Sequence, residues 1–225
     1  MSLILHIETA TKVCSVCLSK EGKLIHVIEE SSEKYIHAEK LTLLIERLMH
    51  EANFKLKELE AISIDKGPGS FTGLRIGVST AKGLCYALGI PLMATDSLVS
   101  LYFGFKEIMG PISENELIVP MIDARRMEVY TAAFNNNGEF YYKTNAKVID
   151  QQFFNSLKQF NKIHVFGDGA TKLIGKFDHQ NIEIYDSIFC SSKFLIPLAF
   201  KNFINKEFVN VAYFEPYYLK DFKTN

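Results

Sequence analysis

Two stretches of this chain follow the same plan: LILHIETATKVCSVCLSKEGKLIHV, residues 3–27, and LIVPMIDARRMEVYTAAFNNNGEFYY, residues 117–142. Each opens with an apolar strand that ends on an acid, Glu8 or Asp123, then runs through a short turn into an alternating strand, a hairpin glycine and a third strand. Acid and glycine are 14 residues apart for Glu8 and Gly22, and 15 for Asp123 and Gly138. Outward from the first stretch come a helical pattern over 35–51, a strand over 61–65, a helix from Phe71 or Thr72 to Leu88, a strand in GIPLMATD and the cap of a third helix. Beyond the second come helical patterns over 151–160, 170–176 and 191–205, with KIHVFGD as a strand among them. The echo predicts an α/β protein of two related halves, residues 1–103 and 104–225, joined near 102–116.

The 225 residues are 48% hydrophobic and 12% aromatic, enough for one large core or two small ones. A formal net charge of −1 excludes a wholly basic nucleic-acid binder and leaves RNA to a local patch or to a partner. No apolar run of about 18 residues predicts a membrane span and the first residues lack a signal-peptide pattern, so the cytoplasm is the expected compartment. Four cysteines make no disulfide framework. Cys14 and Cys17, in an alternating strand, point to opposite faces rather than to a shared redox site.

A glycine-rich stretch, DKGPGSFTGLRIGVSTAKGLCYALG, occupies residues 65–89. The Walker pattern fails, because five residues separate Gly67 from Gly73 and Leu74 stands where lysine belongs. The Rossmann fingerprint fails by one residue, since Gly67, Gly69 and Gly73 read G-x-G-x-x-x-G. What remains is a strand-to-helix turn. Its amides at Ser70, Phe71, Thr72 and Gly73, with Arg75 one turn in, form a candidate anion site, while a tight structural turn accounts for the glycines equally well.

Between Thr72 and Ile90 only Arg75 and Lys82 are charged, too few for a helix with one ordinary solvated face. Gly77, Ala81, Leu84 and Leu88 share the face turned toward a sheet. Arg75, Ser79, Lys82 and Tyr86 share the opposite one, flanked by the small residues Thr72, Val78 and Gly83. The preceding helix has a core stripe of Leu41, Leu44, Ile45 and Leu48 and a second seam of Ile36, Leu43 and His50, bracketed by Lys40 and Arg47. Two such faces predict a protein contact made by Ile36, Lys40, Leu43, Arg47, Thr72, Arg75, Val78, Ser79, Lys82, Gly83 and Tyr86, with coverage by other parts of the same chain as the alternative.

IETATKVCSVCL from Ile7, HAEKL from His37, GPGSFTGLRIG from Gly67, IDARRMEVY from Ile122 and FEPYYLK from Phe214 together resemble the TsaB family, also called YeaZ, nearly end to end. The resemblance implies a duplicated actin-like or Hsp70-like ATPase fold (ASKHA, ribonuclease H-like). It also implies a part in the bacterial machinery that attaches a threonylcarbamoyl group to the tRNA adenosine beside the anticodon. The implied part is that of a non-catalytic partner to a TsaD-like transferase subunit, with a TsaE-like ATPase docking on the pair, a homodimer when alone, and tRNA met indirectly. No catalytic residue, metal or intrinsic cofactor is implied, and a nucleotide at a subunit junction fits the scheme.

The residues agree with that role. The related transferase subunit coordinates a metal through two histidines one helical turn apart, whereas here His37 is followed by Leu41. Glu8 and Asp123 stand where actin-like enzymes keep acids, yet TATK and ARRM follow them instead of glycine-rich phosphate hairpins. FGDGAT, residues 166–171, reads as a remnant nucleotide loop or as a helix-initiating turn. An actin-like ATPase or a glycoprotease-like peptidase with its own active site is the rival function. Direct RNA binding would rest on Arg125, Arg126 and the terminal YYLKDFKTN, a thin set of cations.

Overall fold

The computed structural model describes residues 2–32, 36–176 and 180–220. By their contacts these fall into two units, Met1–Ser100 with Cys190–Tyr218, and Leu101–Phe189 with the chain from Leu219 on. In the first, β1 (Leu3–Glu8), β2 (Val13–Lys20), β3 (Lys23–Ser31), β4 (Ala61–Gly67) and β5 (Leu92–Asp96) form one sheet in the order β3-β2-β1-β4-β5. In the second, β6 (Glu116–Asp123), β7 (Glu128–Phe134), β8 (Phe140–Val148), β9 (Lys162–Phe166) and β10 (Ile182–Tyr185) take the order β8-β7-β6-β9-β10. Both sheets pair antiparallel across their first three strands and parallel across the rest. The echo in the sequence is therefore a duplication of topology.

Among the described residues five α-helices accompany the sheets: α1 (His37–Glu51), α2 (Phe71–Leu88), α3 (Ser97–Met109), α4 (Gln151–Asn155) and α5 (Ile196–Asn205). β1 is central, and all six of its residues are buried. Leu3, Leu5 and Ile7 point into the cluster beneath α1 and α2, while Ile4 packs on the other face with Ala61, Met93 and Ala199 of α5. α2 begins where the Ser70 hydroxyl accepts from the Gly73 N–H at 3.2 Å, and it ends on Gly89 at φ 67°. Cys14 lies in the α1–α2 cluster and Cys17 does not, and burial pushes both thiols up to about 12.

Several elements differ from expectation. α1 is described from His37, and Tyr35, where the pattern starts, lies outside the described residues. The 151–160 pattern is helical only as α4, and 170–176 is a 3-10 helix at Asp168–Leu173. The 191–205 pattern divides into a 3-10 turn, Ser192–Leu195, and α5. β10 was not anticipated: four half-buried residues, IEIY, are too short to show a period. The segment 190–218 belongs with the N-terminal sheet, although a linear division at 103 places it in the second half, because α5 buries Ala199 against Ile4 and Met93. None of the helices among the described residues is long and apolar enough to cross a membrane.

Candidate partner surface

α2 has one buried side, made of Gly73, Leu74, Gly77, Val78, Ala81 and Cys85. Its other side exposes Thr72, Arg75, Ser79, Gly83 and Tyr86, the last with 88% of its surface in solvent. A β-carbon added at Gly83 would meet nothing within 4 Å. α1 packs beside α2 and holds Leu41, Leu44, Ile45 and Leu48 in the core, as its periodicity requires. It presents Leu43, 56% exposed, and Arg47, which donates to Glu51 at 2.6 Å. Lys40 reaches Glu30 at 3.3 Å, and Ile36, half-buried, packs against the core.

Two of the proposed contact residues need correction. Val78 is only 4% exposed and belongs to the core cluster, against which the half-buried Phe214 also packs. Lys82 is turned onto the chain itself, its ammonium donating to the carbonyls of Ala212 at 3.1 Å and Phe214 at 2.9 Å. The responsible segment is anchored at one end by Val209 N–H to the Leu92 carbonyl (2.9 Å) and at the other by Tyr217 N–H to the Lys66 carbonyl (2.7 Å). A groove of about 390 Å³ is left between it and α2, lined by Arg75, Val78, Ser79, Lys82, Phe214, Glu215 and Pro216. The sequence reading allowed cover by other parts of the chain without naming this segment, which it singled out only as the family motif FEPYYLK. Its aromatic density was the available signal.

The glycine loop packs closely on the β1–β2 turn. A β-carbon on Gly69 would strike Ala10, one on Gly73 the Thr9 carbonyl oxygen, and one on Gly77 the Thr9 hydroxyl. The Ser70 N–H donates to the Ala10 carbonyl at 2.6 Å and the Gly73 N–H to Ser70 Oγ at 3.2 Å. The Phe71 ring lies 4.8 Å from that of Tyr218, and Arg75 sits 3.9 Å over Phe71 while donating to the Tyr218 hydroxyl at 3.1 Å. At the expected anion site of Ser70, Phe71, Thr72, Gly73 and Arg75, the chain's own groups take up the amides of Ser70 and Gly73 and the Nε of Arg75.

The acids are likewise turned inward. Glu8, fully buried, accepts the Ala10 N–H at 2.7 Å. Asp65, also fully buried, accepts the Thr9 N–H at 2.9 Å and the Ser97 hydroxyl at 3.1 Å, and burial pushes its carboxyl up to about 7. Sequence reasoning missed Asp65, although it closes the strand read over 61–65 as Glu8 and Asp123 close theirs; in the structure β4 runs on to Gly67. The second unit repeats the device. Gly167 and Gly169 press on the backbone of Met121 and Ile122, and Asp168, pushed up to about 6 by burial, accepts the Asp123 N–H at 3.0 Å. Asp123 itself is bridged by Lys172 at 2.6 Å. His37 and Leu41 are both buried, so the helical turn that would pair them faces the sheet. On its α1–α2 face the first unit exposes Leu43 and Tyr86.

The family model described as TsaD, tRNA N6-adenosine threonylcarbamoyltransferase, matches residues 29–194. The chain belongs to that family. Its relatives carry the TsaB and YeaZ names that the sequence motifs resemble. The Escherichia coli K12 protein called tRNA threonylcarbamoyladenosine biosynthesis protein TsaB is 26% identical, over 97% of this chain and 94% of that protein. YeaZ from Pseudomonas aeruginosa superposes with a TM-score of 0.77 at 26% identity, over 97% of this chain and all of that one. An inorganic polyphosphate/ATP-glucomannokinase from Arthrobacter superposes at 0.53 with 9% identity, over 91% of this chain and all of that one. That likeness is one of fold, and it agrees with the duplicated actin-like architecture.

Proposed function

We propose that this chain is the non-catalytic partner subunit of the complex that makes threonylcarbamoyladenosine at the tRNA adenosine beside the anticodon. It holds a TsaD-like transferase subunit through the α1–α2 face. The exposed stripe of α2 carries the reading: a helix with Tyr86 88% in solvent and open space around Gly83 is built for another helix to approach. The same face makes a homodimer of the isolated chain, so the two associations compete. A TsaE-like ATPase docks on the heterodimer. The chemistry belongs to the transferase subunit, because here the strand-end acids and glycine loops bind their own turns.

The test is reconstitution from purified components. The chain is expected to co-elute with the TsaD-like subunit, and modified adenosine is expected only when both are present with the TsaE-like ATPase. The chain alone should turn over neither ATP nor peptide. Turnover by the isolated chain that is abolished by Glu8→Gln or Asp123→Asn would overturn the reading and favour an enzyme with its own site.

A further inference from the structure

Arg125 and Arg126 form the turn between β6 and β7 with φ of 69° and 50°. Consecutive left-handed residues are what Asn-Gly supplies in tight hairpins, and side chains with a β-carbon are disfavoured there. The turn is closed by the Ala124 N–H to the Glu128 carbonyl at 3.1 Å, the Glu128 N–H to the Arg125 carbonyl at 3.2 Å and the Arg125 N–H to Asp123 Oδ1 at 2.6 Å. Both arginines are exposed, and neither guanidinium forms an ion pair among the described residues. The acids that flank the turn are already held: Asp123 by Lys172, and Glu128 by Lys220. A third cation stands beside it, the Lys176 ammonium lying 3.3 Å from Met127 Sδ. In a chain of net charge −1 this is a concentrated positive patch.

We propose that Arg125 and Arg126 grip the phosphate backbone of RNA directly. The proposal rests on the reading that the chain works in tRNA modification, and it goes beyond the indirect role given above. Guanidinium forks match phosphate oxygens two by two. Two forks on adjacent residues suit a polyanion that presents charge at every step along its length, whereas an acidic protein surface would need a matched pair of carboxylates. A turn that holds arginines against their backbone preference is also one where the side chains, not the loop geometry, decide the residue type.

The decisive variant is Arg125→Asn with Arg126→Gly, which removes both charges and installs the residues this backbone favours. Arg125→Lys with Arg126→Lys keeps the charge and loses the forks. Affinity for a transcribed tRNA is measured for each chain, with and without the TsaD-like subunit, between 50 and 200 mM salt, together with thermal midpoint and co-elution with that subunit. The Asn-Gly variant is expected to melt higher, co-elute normally, bind tRNA about tenfold more weakly near 100 mM salt and show a salt slope shallower by about 2. The Lys-Lys variant should keep most of the slope. Unchanged tRNA affinity and slope in a folded Asn-Gly variant would overturn the proposal. Loss of co-elution would also overturn it, by assigning the turn to a protein contact. If charge-dependent RNA binding is seen but the wild-type mixture modifies no tRNA, the functional reading fails and the phosphate site stands.

Discussion

Gly73 is buried in α2 and Gly83 exposed on it, and they lack a side chain for different reasons. At Gly73 a methyl would enter the Thr9 carbonyl, backbone that cannot swing aside. Gly73→Ala should therefore cost about 1–3 kcal/mol in urea denaturation despite alanine's better helix propensity. Gly83→Ala meets nothing in the monomer, so it should stabilise the fold by about 0.5–1 kcal/mol while weakening self-association. Asp65 gives a pH prediction. Its folded carboxyl keeps a proton up to about pH 7, while its ordinary value is 3.8, so between these limits the folded state binds more protons than the unfolded. Stability should then fall as pH rises from about 4 through 7. Asp65→Asn should flatten this profile in denaturant melts, and an unchanged slope would show that other groups set it. The glycines were visible in the sequence but their neighbours were not, because Gly73 and Thr9 are brought together only when β1 and β4 pair.

At the level of elements, α1 and α2 with the 209–218 segment form one composite surface. Ser79 is exposed on the stripe, and Ser79→Glu would bury an unpaired charge on association. The variant should remain folded and lose several kcal/mol of both homodimer and transferase binding, read by sedimentation and by co-elution. Survival of either association at normal strength would separate the two surfaces. Lys82→Ala removes the donor to the Ala212 and Phe214 carbonyls. Faster amide hydrogen exchange confined to residues 209–218 is expected, with α2 itself still protected. The strands, α1 and α2 were legible because their periods of 2 and 3.6 are local. Val78 was misassigned because it lies between the two faces of α2, where tertiary packing into the core cluster decides burial and helical geometry does not.

For the whole molecule, the proposed self-association through the α1–α2 face would link stability to concentration. The thermal midpoint of the isolated chain should rise with protein concentration, and that of Ser79→Glu should not. A wild-type midpoint independent of concentration over a hundredfold range would mean that the α1–α2 face is solvated in the free chain. Each unit has its own sheet and cluster of buried side chains, and each uses glycines to press a loop against the end of its first strand. The duplication thus extends beyond strand order to this packing of glycine loops.

The sequence by itself determined the duplicated α/β plan, the second helix with too few charges for a solvated face, and Leu41 one turn after His37, because each depends on residues close together in the chain. Tertiary structure alone decided that Gly69, Gly73 and Gly77 receive the β1–β2 turn, that Asp65 is a buried acid, and that the C-terminal segment walls one side of α2. Arg75 and Tyr218 stand 143 residues apart, and no local pattern carries a contact of that span. Which side chains are free to meet a partner is what remains after such distant contacts have formed, so it could be read only from the folded chain.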